Sequence, residues 1–167
     1  MKRLIGFLFL IFFLVNCSNN RPIFVLSSSP ELQLPLKASK FFGFFEKNSI
    51  DLQVEETTGG RSLIKFLNFS KYSVVITDRE TAERIEKLSP RWNLLCTVAL
   101  KKKANVPINK EEGEFVLLVK DTLFKRKREL ITLIKGWNYG VDLLKDPAVV
   151  KLLVGRELSY RFHKCGK

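Results

Sequence analysis

Hydrophobic positions along this chain switch between runs that suit buried strands and spacings that suit helices, with polar breaks between them. Ile23-Phe24-Val25-Leu26 is a short unbroken apolar run ending in Ser27-Ser28-Ser29-Pro30. That pattern predicts a buried strand entering a loop. Across residues 31–47, Leu36, Phe41, Phe44 and Phe45 predict a helix. Pro30 suits its first turn, Pro35 marks where the regular helix starts, and Asn48-Ser49 stops it. Ile50, Leu52 and Val54 then alternate with Asp51, Gln53 and Glu55, the period of a strand exposed on one face.

The loop Thr57-Thr58-Gly59-Gly60 follows, and Leu63, Ile64, Phe66 and Leu67 give an apolar face to a helix starting near Arg61 or Ser62. Residues 72–76 read as a third strand. Thr77-Asp78 closes it and can cap a helix over Arg79–Leu88. This β-α-β-α-β-α order implies parallel strands with right-handed crossovers. After Pro90 the pattern changes. Residues 94–100 and 114–120 read as strands joined by a thirteen-residue, lysine-rich segment, long for a hairpin. A helical region follows over residues 121–154, divided at Asp146-Pro147. The fold class expected is α/β: a single three-layer lobe over residues 22–154, with a mixed, mostly parallel sheet flanked by helices and a tail over residues 155–167.

The first residues change the picture of where the protein works. Met1-Lys2-Arg3 precedes an unbroken apolar run of twelve residues, too short to span a bilayer comfortably as a helix. Residues 1–16 therefore read as a secretory signal peptide, to be set apart from the fold. Leu14-Val15-Asn16-Cys17 resembles the lipobox of bacterial lipoproteins, which implies lipidation of Cys17 and a short tether over residues 17–21. Asn16 stands where that pattern usually has glycine, alanine or serine. Acyl chains gain about 0.8 kcal/mol per buried CH₂, so such an anchor holds a lobe at a membrane. The expected location is the cell envelope, on a periplasmic or outer membrane face.

Charge narrows the partners further. The formal net charge is +12, and Lys2 and Arg3 account for only two of those charges. A basic surface favours anionic lipid, polyanions or small anions. With export, nucleic acid is not expected as a partner, and the run Lys125-Arg126-Lys127-Arg128 reads as a solvated face near a helix start.

Candidate chemistry is sparse. His163 is the only histidine, and no triad can be built around it in what reads as a frayed tail. No paired carboxylates, metal cluster or nucleophile–base pair stands out, so neither enzyme, metal nor cofactor is expected. Cys96 and Cys165 admit two readings: a disulfide tying the tail to a core strand, or a buried thiol at Cys96. The apolar flanks Leu94, Leu95, Val98 and Leu100 tip the reading slightly toward the thiol. Phe41, Phe42, Phe44 and Phe45 read mainly as core, although two adjacent pairs cannot all face one side of a helix. Trp92, Trp137 and Tyr139 also read as core.

In an open α/β sheet, ligands bind beyond the carboxyl ends of the parallel strands. Three loops qualify: Ser27, Ser28 and Ser29; Thr58, Gly59, Gly60, Arg61 and Ser62; and Thr77 with Asp78. Helix starts there would offer N–H groups to an anion, and the glycine pair would admit a ligand close to the backbone. Helix capping alone would demand the same residue types.

The stretch GFFEKNSIDLQVEETTGG, followed by YSVVITD, resembles the first lobe of type 2 periplasmic substrate-binding proteins of ABC importers. The branch it resembles is the NMT1/THI5-like group, whose members bind thiamine precursors, sulfonates, nitrate or taurine. Gly43-Phe44-Phe45, Ile50-Asp51-Leu52, Gly59-Gly60 and residues 75–78 occupy the family's places, with Ser49 where the family usually has glycine. The resemblance covers residues 22–100 and resumes at residues 115–121. Family members insert a second lobe between those stretches, and this chain has only the linker over residues 101–113. The resemblance thus implies half of the two-lobed fold and a small-molecule ligand. It also implies an ABC permease, or a second-lobe or homodimer partner, to supply the other wall. The alternative is a membrane-tethered basic lipoprotein that contacts polyanions or another envelope protein.

Overall fold

The structure, a computed structural model, describes residues 21–57, 60–67, 71–101 and 113–166, with only the backbone described for residues 60–62. The signal peptide, Cys17, Thr58, Gly59 and residues 102–112 of the linker lie outside the described residues.

The apolar and alternating runs form six strands: β1 (Ile23–Ser27), β2 (Leu52–Glu56), β3 (Tyr72–Asp78), β4 (Trp92–Lys101), β5 (Glu114–Lys120) and β6 (Tyr160–Phe162). They make one sheet in the order β2-β1-β3-β5-β4-β6. β1 pairs in parallel with β2 and with β3, and β5 pairs antiparallel with β3 and β4. β6 runs antiparallel to β4. The first four strands therefore share one direction, so the sheet is mixed as expected. Its helices are α1 (Leu34–Phe41), reached through a 3₁₀ turn at Glu31–Gln33, then α2 (Phe44–Lys47), α3 (Gly60–Phe66), α4 (Arg79–Leu88), α5 (Asp121–Phe124), α6 (Lys127–Leu143) and α7 (Pro147–Val154).

Strand alternation sends side chains to two different layers. Ile23, Val25, Val74, Ile76, Leu117 and Val119 pack with Leu36 of α1, Phe45 of α2 and Leu133 and Trp137 of α6. Leu26, Val75, Val116 and Leu118 pack on the other side with Leu63 of α3 and Ala82 and Ile85 of α4. The result is three layers, with a third apolar cluster where Leu34 and Ala38 of α1 meet Leu144 and α7. Among the described residues no helix is long and apolar enough to cross a membrane.

Four expectations need correction. The helix over residues 31–47 is broken at Gly43, whose φ of +73° is left-handed and ends α1. The helical region over residues 121–154 divides at Asp146-Pro147 as expected, and again at Lys125-Arg126, where Arg126 leaves the helical region. Tyr139 is 39% exposed and stacks on Phe44 instead of entering the core.

The largest correction concerns the tail and the thiol. Cys96 and Cys165 are joined as a disulfide. Residues 155–166 belong to the lobe: β6 pairs with β4, Trp137 Nε1 donates to His163 O at 2.8 Å, and Cys165 N donates to Asn138 Oδ1 at 2.7 Å. The apolar flanks of Cys96 fit a disulfide as well as they fit a thiol, and nothing local to Cys165 shows that its strand returns to β4.

Topology gives this lobe two dissimilar ends. At the carboxyl end of the parallel strands lie Ser27, Glu56 and Asp78. Lys101 joins them where β4 ends, and Glu114 where the antiparallel β5 begins. The starts of β1 to β4 and the finish of β5 at Lys120 lie at the amino end.

Candidate functional site

Strand order reverses around β1: the chain leaves β1 for β2 on one side and returns to place β3 on the other. The crevice beyond β1 and β3 is thus the switch point of this sheet, where open α/β folds take ligands. Backbone bonds hold its three loops together. Thr57 N donates to Ser27 O at 3.0 Å, and Ser28 N donates to Ile76 O at 3.0 Å. Ser27 and Thr77, in strands, and Thr57, just past β2, are all buried, unusual for hydroxyl residues, and they form a polar row across the end of the sheet.

Two of the predicted loops keep part of their chemistry for themselves. Ser27 Oγ donates to Ser29 O at 2.5 Å and accepts from Ser29 N at 3.2 Å, closing the first loop on itself. Asp78 Oδ1 caps α4 by accepting from Thr81 N at 2.8 Å, and Thr77 Oγ1 donates to Asp78 Oδ2 at 3.2 Å. The start of α4 is therefore already supplied with a carboxylate, so its N–H groups offer little to an external anion. The structure brings Ser27, Ser28, Ser29, Thr77 and Asp78 to one end of the sheet, together with the Gly60 backbone that opens α3. The side chains of Arg61 and Ser62 lie outside the described residues.

The structure adds residues that local pattern does not reveal. Arg79 makes a two-pronged ion pair with Glu114, its Nη2 donating to Oε1 at 3.0 Å, and Thr97 donates to the same carboxylate. The Arg79 hydrogen bond, followed by that of Thr97, holds the Glu114 carboxyl below the usual carboxylate range. Gln33 Nε2 donates to Glu55 O at 3.0 Å, bracing the start of α1 against β2. Glu31, buried, accepts from Ser159 N and lies 3.9 Å from Arg156 Nη2. The only sequence signals for these are a charged residue flanking an apolar run and polar residues in a first helical turn, which many solvated positions share.

Chemically, the described part of the carboxyl end offers hydroxyls and a neutralised Arg79–Glu114 pair. Among the described residues, no group of three or more His, Cys, Asp or Glu side chains could hold a metal ion. Recesses of about 520, 550 and 280 Å³ lie on the described surface, lined by residues other than those of the predicted loops. The first opens between the end of α6 and α7, beside Leu144, Val150 and Arg156.

No family model matches the chain, and no curated protein matches it in sequence. In three dimensions it is similar to the Candida albicans CA3427 gene product, described as defining a new family with the generic periplasmic binding protein structural fold. That likeness has a TM-score of 0.65 at 10% identity and covers 86% of this chain and 82% of that chain. A lesser likeness, to a protein from Bordetella bronchiseptica RB50, has a TM-score of 0.39 at 16% identity over 54% of this chain and 31% of that one. The chain has a periplasmic-binding-protein-like fold.

Proposed function

We propose that this periplasmic-binding-protein-like lobe is the solute-binding part of an exported lipoprotein, anchored through Cys17 and taking a small polar solute at the carboxyl end of its sheet. The observation that carries the reading is the switch point. Strand order β2-β1-β3 brings side by side the ends of the three strands that lead into the hydroxyl- and glycine-bearing loops, which supports a ligand site there. The NMT1/THI5-like resemblance of residues 22–100 supports ABC-type uptake and ligands of the thiamine-precursor or sulfonate kind. An anionic group on the solute would be met by Arg61 and the glycine-bearing start of α3, since Asp78 occupies the start of α4.

One lobe buries little of a small ligand, and pockets normally enclose most of it. The reading therefore requires a second wall, from a permease, a separate lobe or a second copy of the chain. The test is thermal unfolding of the full chain in detergent, read by tryptophan fluorescence, against thiamine precursors, sulfonates and amino acids. A ligand at a hundredfold its Kd should add about 2.7 kcal/mol. Gly60→Val and Arg61→Ala should abolish that gain, whereas Asp78→Asn retains a helix cap and isolates the loss of the carboxylate charge. Silence across the whole panel would defeat the solute reading. The basic surface would then favour the alternative, a tethered interaction protein.

A further inference from the structure

The opposite end of the lobe carries a different chemistry. Helices α1, α3 and α4 each return toward the start of the next strand, and α5 leaves the end of β5, so all four finish at the amino end. Each finishes in an exposed apolar side chain: Phe41 is 63% exposed, Phe66 41%, Leu88 70% and Phe124 37%. Four helices ending this way at one end of a molecule make an apolar rim, not scattered exceptions.

Positive charge surrounds that rim. Lys40, Lys65 and Lys87 sit in last helical turns, where the helix dipole alone accounts for them. The dipole does not account for Arg21, Lys71, Lys125 and Arg126, which line a recess of about 550 Å³ with Phe24 and Thr122. Lys71 bonds Glu55 at 2.7 Å, and Arg126 bonds Glu129 at 3.1 Å and the Arg21 carbonyl at 2.6 Å. Among the described residues Arg21, Lys125, Lys127 and Arg128 make no ion pair, and all four are exposed. Arg21 also fixes where the N-terminal segment joins the lobe, at this same end. Cys17, the residue of the proposed anchor, stands only four positions before Arg21 in the sequence.

We infer that the amino end of the lobe is a membrane-facing surface that docks on an anionic phospholipid bilayer. Phe41, Phe66, Leu88 and Phe124 enter the interface, and Arg21, Lys125, Lys127 and Arg128 meet the headgroups. This deepens the tethered-lipoprotein reading and rests on it for the anchor. It fixes the orientation of the lobe, with the solute-binding end turned away from the lipid toward a partner.

The full chain is tested with vesicles containing phospholipid brominated on its acyl chains, with or without an anionic lipid. A reporter tryptophan is placed by Phe124→Trp at the amino end or by Glu80→Trp at the carboxyl end. In anionic vesicles the Phe124→Trp chain should be quenched severalfold more than the Glu80→Trp chain. That difference should fade at high salt, where the Debye length shrinks to about 3 Å, and in the triple variant Arg21→Gln, Lys125→Gln, Arg128→Gln. Equal quenching in wholly zwitterionic vesicles, or stronger quenching at Glu80→Trp, overturns the assignment. So does salt-sensitive binding to dextran sulfate without quenching by anionic vesicles, which would make the surface a polyanion site. Flotation with zwitterionic vesicles reads the anchor separately. A chain that fails to float there yet is quenched at Phe124→Trp on anionic vesicles loses its anchor and keeps this surface. A chain that floats there and stays unquenched on anionic vesicles keeps its anchor and loses the surface.

Discussion

Ser49 adopts a φ of +56°, the left-handed region that a side-chain-bearing residue enters at a cost of about 1–2 kcal/mol. It sits between α2 and β2, at the position where the resemblance expects glycine. Ser49→Gly should therefore stabilise the lobe by about 1 kcal/mol after glycine's own entropic cost, raising Tm by about 2–4 °C in a scan. An unchanged or lower Tm would show that contacts of Ser49 offset the strain. Glu114 is the other residue whose environment can be read by titration. Its folded carboxyl is held below the usual range by Arg79 and then Thr97, so its stabilising contribution is present above the unfolded pKa. That contribution is lost as pH falls through the folded value. Wild type should thus exceed Glu114→Gln in stability at neutral pH, and the two unfolding curves should converge on acidification below the ordinary carboxylate range. Curves that stay parallel would remove the ion pair from the account. The stop at Ser49 was legible because turn chemistry is local. The pairing of Glu114 with Arg79 was not, because an ion pair between a helix start and a strand 35 residues away leaves no trace in spacing.

Helix α4 and strand β5 end where their sequence signals place them, since Asp78 caps one and charged residues bound the other. Helices α1 and α6 were legible as helices, but their contact was not. They approach closely enough that Ser39 Oγ donates to Gly136 O. A Cβ at Gly140 would lie 1.8 Å from Pro35 O, and one at Gly136 would lie 2.3 Å from the Phe45 ring. Gly136 and Gly140 stand four positions apart in the sequence, but that spacing does not say which helix they meet. Gly140→Ala must push two backbones apart and should cost about 3 kcal/mol, the upper range for overpacking. Gly136→Ala meets a side chain that can shift, so it should cost less, about 1–2 kcal/mol despite the better helix propensity of alanine. Denaturant unfolding of both variants gives the comparison. Equal costs, or a stabilised Gly140→Ala, would contradict a backbone-limited contact. The carboxyl-end loops show the same division at the candidate site: strand-to-helix junctions were legible from hydroxyls and glycines. Their bracing by Gln33 and Glu31 depended on residues brought together only by the packed helices.

Across the whole molecule, the feature the sequence concealed most completely is how the sheet is closed. β4 would be the sheet's outer strand if β6 did not cover it, and β6 contributes only three residues. A strand that short has few ladder bonds with which to hold its place, and an uncovered β4 would present open N–H and C=O groups to other chains. The Cys96–Cys165 bond joins positions separated by 69 residues, from β4 to the far side of β6. Closing a loop of that size removes unfolded-state entropy worth about 4 kcal/mol. The double variant Cys96→Ala, Cys165→Ala should lose stability on that scale in chemical unfolding. Amide exchange should quicken first in β6 and along the outer side of β4, while β1 and β3, enclosed between two helical layers, stay protected until global unfolding. Equal stability of the two proteins would mean that Trp137, Asn138 and the β4–β6 ladder hold the C-terminal return unaided. Selective exposure of β4 would instead show that a one-lobe protein in this fold needs a covalent staple to finish its sheet.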